Sequence, residues 1–137
     1  MSVRRTWSRG RKAGSMARHV VVRGDEAEIT VELDEGAVAS ELWDRLPMES
    51  KARLRGEQLH FPVLMPTATE APDRYDIESG DVAYWPVDDA LCLYFGETHV
   101  RTDKESPVAW VGRIVAGLKD CKLVRQNETL KIEASEG

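Results

Sequence analysis

The run Gly80-Asp81-Val82-Ala83-Tyr84-Trp85-Pro86-Val87-Asp88-Asp89-Ala90-Leu91-Cys92-Leu93-Tyr94-Phe95-Gly96 gathers aromatics, a cysteine and carboxylates in one short stretch. Such residue types could build an active site or the hydrophobic spine of a small fold. Metal binding would need Cys92 or Cys121 in a CxxC pair or beside histidines at ligand spacing; neither is, so both read as reduced thiols. His60 stands beside Phe61 and Pro62 with no second histidine or carboxylate at ligand spacing, and reads as structural or surface. His99 follows Gly96-Glu97-Thr98 in a loop, exposed or at a rim, and His19 heads the first strand signal. Asp81 and Glu97 are too unspecific a pair to indicate hydrolysis, and Asp88-Asp89 suits a turn whose aspartates bond their own backbone. No metal and no cofactor follow from these residues.

The elements that must position this run are short. His19 to Arg23 and Ala27 to Leu33 read as a hairpin around Gly24-Asp25, with Ile29, Val31 and Leu33 alternating against Glu28, Thr30 and Glu32. Ala37 to Leu46 sets Val38, Leu42, Trp43 and Leu46 on one helical stripe closed by Pro47, so Trp43 is expected in the core. Gly56 to Val63 reads as a strand, at an edge or strand end because of Pro62 and Pro66, and Thr67 to Ser79 as a long polar loop. Asp81 to Trp85 and Leu91 to Phe95 form a second hairpin. A polar loop, a strand from Val108 to Val115, a short helix from Leu118 to Val124 and a strand from Thr129 to Ala134 complete the chain. Seven or so short strands, two short helices and no βαβ rhythm predict a mainly β fold, a closed antiparallel barrel.

The 137 residues suffice for one domain with a real core. Residues 1 to 23 hold seven basic side chains and no acid, leaving 12 basic and 24 acidic residues, a net charge of −12, for the rest. We therefore expect a basic, disordered tail over 1–17 and an acidic barrel domain over 18–137. The acidic body argues against a nucleic-acid partner. The absence of a long apolar run or a signal-peptide core argues against a membrane and for the cytoplasm.

Tyr84-Trp85-Pro86, Ala90 to Gly96, Val111-Gly112-Arg113-Ile114 and Gly117-Leu118, in this order and spacing, resemble the small bacterial and archaeal cyclophilin-like family over most of residues 18–134. The resemblance implies one minimal barrel, related in fold to peptidyl-prolyl isomerases. In true isomerases a proline sits in a hydrophobic pocket on the outer face, and an arginine with a glutamine and a histidine polarises the peptide, whose rotation barrier falls as the amide leaves planarity. Matching Leu59-His60-Phe61 to the family's Phe-His-Arg puts Phe61 at the arginine. The same comparison puts Leu91 at the glutamine, Leu93 at the pocket aromatic and Val108, or a neighbour equally unable to donate a proton, at the histidine.

With that polar set missing, no residue is assigned a catalytic role. The chain is expected to be a noncatalytic binding module for a small apolar ligand or a proline-containing peptide. Alternation is taken to point Cys92 and Tyr94 inward, leaving Phe61, Trp85, Leu91, Leu93 and Phe95 as an outward groove with a polar rim of His60, Arg55, Arg113 and Glu97. One alternative is an active peptidyl-prolyl isomerase in which Arg55 or Arg113 swings in. The other is an oligomeric interaction subunit whose groove is an interface, the oligomeric state being left open.

Overall fold

The computed structural model describes residues 18–63, 76–85, 89–96, 100–101 and 109–135. The basic tail, most of the long polar loop, Glu97, His99 and Val108 lie outside the described residues. Among the described residues, eleven strands and two short helices follow in chain order. They are β1 (His19–Arg23), β2 (Glu28–Leu33), helix α1 (Ala37–Asp44), β3 (Met48–Lys51), β4 (Arg53–Arg55), β5 (Gln58–Pro62) and β6 (Asp76–Ile77). Then come β7 (Asp81–Trp85), β8 (Ala90–Tyr94), β9 (Val100–Arg101), β10 (Ala109–Ala116), a 3-10 helix (Leu118–Leu123) and β11 (Thr129–Ala134).

Nine strands form one antiparallel sheet in the order β3-β11-β1-β2-β10-β7-β8-β5-β4, and β6 pairs with β9 separately. The sheet curls around the main core. Ile29, Val31 and Leu33 on β2 and Leu130 and Ile132 on β11 point into it, while the intervening polar residues stay at the surface. This two-residue alternation is why these segments are strands with one buried face. Helix α1 adds Val38, Ala39 and Leu42 to the same core, and Trp43 packs against it half-buried, with the Arg18 guanidinium 5.7 Å from its ring centroid.

The barrel is nearly closed, not fully closed as expected. The two ends of the sheet order, β3 and β4, are consecutive in the chain with only Ala52 between them. β3 pairs with β11 and β4 with β5, so the chain itself crosses the gap. Ala52, fully buried, donates its N–H to Glu128 O and accepts from Asn127 N, both at 2.8 Å, and Ser50 Oγ donates to Pro62 O at 2.7 Å. β5 is therefore an interior strand with neighbours on both sides, and Pro62 is tolerated because it is the last residue of the strand.

Glu128 ties two turns together. Its carboxylate accepts the backbone N–H groups of Arg125 and Asp25, joining the tip of the β1–β2 hairpin to the turn before β11. The Arg125 and Asp25 donors hold the carboxyl below its usual value of 4.5. A folded-state value below the unfolded one gives stability that is present above the unfolded pKa and lost as pH falls through the folded one. Glu128→Gln should lower Tm at neutral pH, and the gap to the wild type should close below about pH 4. Thermal melts between about pH 7 and about pH 3 check this; a gap that stays constant across the range contradicts it.

Candidate functional site

The strands that carry the opening run place its side chains the other way round from the expectation. Phe61, Leu91, Leu93 and Phe95 all belong to the main core, with Phe61 and Leu93 at 0 % exposure. Cys92 and Tyr94 lie on the opposite face with Ala83, where Trp85 packs against them. The expected groove wall is thus the lining of the barrel interior. The two faces of β8 were indistinguishable by polarity, because all five of its residues are buried. The carry-over of the isomerase arginine moves as well. Phe61 points inward, so the outer positions of β5 are Gln58, His60 and Pro62, and none is an arginine.

The outer face is built by register. β5 pairs His60 with Cys92 and Gln58 with Tyr94; β7 pairs Ala83 with Cys92; β4 pairs Arg53 with His60 and Arg55 with Gln58. Residues directly opposite on a ladder share a face, so these side chains meet outside the barrel. The Arg55 guanidinium lies 5.7 Å from the Trp85 ring centroid, a cation–π distance, and the His60 ring meets Trp85 edge-on at 5.6 Å. His60 Nε2 lies 2.9 Å from Gln58 Oε1, and Cys92 Sγ lies 3.6 Å from His60 Nδ1. Burial raises the Tyr94 hydroxyl far above its ordinary value, with the neighbouring Cys92 adding to the effect, so Tyr94 stays neutral and polar.

Beside this face lies a pocket of about 210 Å³ lined by Arg53, Leu54, Arg55, His60, Phe61, Pro62, Ala90 and Gln126. Gln126 Oε1 accepts from Leu54 N at 2.9 Å, which fixes the amide at the rim. Among the described residues neither Arg53 nor Arg55 has a carboxylate partner. The Nε1–H of Trp85 is buried with no acceptor among the described residues. Two guanidiniums without a carboxylate and a buried N–H without an acceptor among the described residues give this corner an excess of donors, which suits an anionic or carbonyl oxygen.

Of the residues predicted as a site, the structure brings together Trp85, His60 and Arg55. Arg113 lies away from them, exposed on β10 and opposite Asp81 in register. Asp81 is fully buried and accepts from Glu78 N at 2.8 Å and Trp110 Nε1 at 3.3 Å, which makes it a tie between β7 and β10. Sequence reasoning missed Gln58, Cys92, Arg53 and Gln126. The alternation Gln58-x-His60 was visible, but its meeting with Cys92 depends on which strands pair. Among the described residues no group of three or more His, Cys, Asp or Glu could hold a metal ion, and no helix is long and apolar enough to cross a membrane.

Comparison with known proteins agrees with this architecture. The family model described as Cyclophilin-like matches residues 18–133. The solution structure of a hypothetical protein from Archaeoglobus fulgidus is 30% identical, covering 90% of this chain and 99% of that one, with a TM-score of 0.73. The comparison with curated proteins gives no match. An antiparallel barrel with this strand order, matched over nearly its whole length, places the chain in the cyclophilin-like family.

Proposed function

We propose that the domain is a binding module whose recognition surface is the outer face of β4, β5, β8 and β7. Its ligand is a peptide segment or small molecule that lays an apolar group against Trp85 and sets an anionic or carbonyl oxygen in the pocket between Arg53 and Arg55. The observation that carries this reading is the pocket itself, with two arginines that have no carboxylate partner among the described residues of an acidic body. A guanidinium binds a carboxylate through charge-assisted hydrogen bonds, roughly twice as strong as neutral ones.

N-acetylproline and its amide are suitable probes, followed by proton–nitrogen NMR. The acid should shift the Trp85 indole and the Arg53 and Arg55 amides, and bind about tenfold more tightly than the amide. Arg55→Gln should remove most of that difference. Silence at these resonances with both probes near solubility counts against the reading. A second reading, peptidyl-prolyl isomerase, rests on Arg55 reaching over Trp85. Faster isomerisation of an Ala-Pro peptide by the wild type, lost in Arg55→Gln, would favour it.

A further inference from the structure

Three side chains stand in a row across the outer face. Gln58 and His60 share one side of β5, and Cys92 faces His60 across the β5–β8 ladder. The amide oxygen of Gln58, 2.9 Å from His60 Nε2, can only accept, so Nε2 carries the imidazole proton. Nδ1 is then the acceptor, 3.6 Å from Cys92 Sγ, and the thiol donates to it. Nucleophile, base and orienter in this sequence are the arrangement that activates a cysteine. Two further observations surround the row. His60 itself lines the pocket that holds Arg53 and Arg55, which sets the row beside a cationic pocket. Trp85, whose buried Nε1–H lacks an acceptor among the described residues, packs against Cys92.

We propose that Cys92, His60 and Gln58 form a nucleophilic thiol site for small electrophiles that carry a carboxylate, drawn in through the Arg53–Arg55 pocket. This rests on the anion-binding reading of that pocket. In the step, the Sγ lone pair forms a bond to the electrophilic carbon as the bond to the leaving group breaks and that group departs with its electron pair. The thiol proton passes to His60 Nδ1, and Gln58 holds the ring in the tautomer that receives it. Cys92 and His60 are the catalytic residues, and Gln58 is a positioning residue.

The chain contains its own control. Cys92 and Cys121 are both at 0 % exposure. Cys121, however, lies in the main core, where burial first and Asp120 second push its thiol up to about 12. Cys92 lies in a small cluster with Ala83 and Tyr94, apart from the main core.

The full chain is treated in its native state with iodoacetate or with the neutral iodoacetamide, and alkylation at each cysteine is followed by peptide mass spectrometry. Cys92 should react at least about tenfold faster than Cys121. Its preference for iodoacetate over iodoacetamide should exceed that of the urea-denatured chain. The double variant Arg53→Gln/Arg55→Gln should bring the preference down to the denatured value. His60→Gln should slow both reagents about tenfold. Gln58→Leu should slow both, and Gln58→Glu should restore them at an unchanged melting temperature, which a merely structural role would not produce. Equal rates at Cys92 and Cys121 in the wild type, a measurement that needs no variant, overturn the proposal, as does a preference no greater than in the denatured chain. N-acetylproline binding unaffected by Arg55→Gln, with Cys92 selectivity intact, sinks the pocket reading separately.

Discussion

Phe61→Ala should destabilise the fold by about 3–5 kcal/mol, a cost set by the lost transfer free energy of the ring and by the cavity it leaves. Phe61 is the largest of the fully buried side chains and sits at 0 % exposure in the main core, on a strand held by neighbours on both sides. The surrounding backbone has little freedom to collapse into the space. Against a total stability of about 5–15 kcal/mol, typical of domains, this is a large fraction. Urea denaturation measures it through the shift in midpoint at constant slope. The same variant also separates the two orientations of the β5–β8 sheet. A residue on an outer groove would lose ligand affinity with little change in midpoint, whereas an interior residue lowers the midpoint first.

Gly117→Ala should cost roughly 2–5 kcal/mol, combining left-handed backbone strain with a steric overlap. Gly117 has a φ of +83°, and a Cβ there would stand 2.1 Å from Glu28 O and 3.0 Å from Ile29 Cα. Both are backbone atoms of β2, which is paired with β1 on one side and β10 on the other, so neither can step aside. Gly80 provides the comparison. Its φ is +90°, but a Cβ there meets nothing within 4 Å. Gly80→Ala should therefore carry only the conformational part, about 1–2 kcal/mol. Paired urea melts read the difference between the two variants as the steric contribution, and equal losses at both sites would show that the close approach to β2 costs nothing.

How much of this could be read from the sequence depended on polar contrast. β2, β7 and β11 are legible because a turn signal or a clean polar–apolar alternation brackets each, and their observed bounds match the expected ones to within a residue. Leu91-Cys92-Leu93-Tyr94-Phe95 has no such contrast. Period two divides it into two faces, but nothing local says which face is inside, since both are buried. The inverted assignment follows from that symmetry, and with it the misplaced groove. Met48–Lys51 and Arg53–Arg55 carry too many charges to read as strands, and they become strands because the ladders of β11 and β5 need partners. Arg55 and His60 were recognisable as polar residues near a site; the meeting of His60 with Cys92, 32 positions away, is a property of the sheet order alone.

The crossing at Ala52 bears on how the molecule comes apart. In an open sheet each outermost strand can peel away independently, and each exposes a row of unpaired amides on which another chain can add. Here both outermost strands are halves of one eight-residue segment from Met48 to Arg55, anchored at its middle by two backbone hydrogen bonds from the buried Ala52. Detaching β3 from β11 pulls on the anchor that also holds β4 against β5. Fraying at one margin is thereby coupled to fraying at the other, and the seam behaves as a single fastener whose release opens both flanks at once.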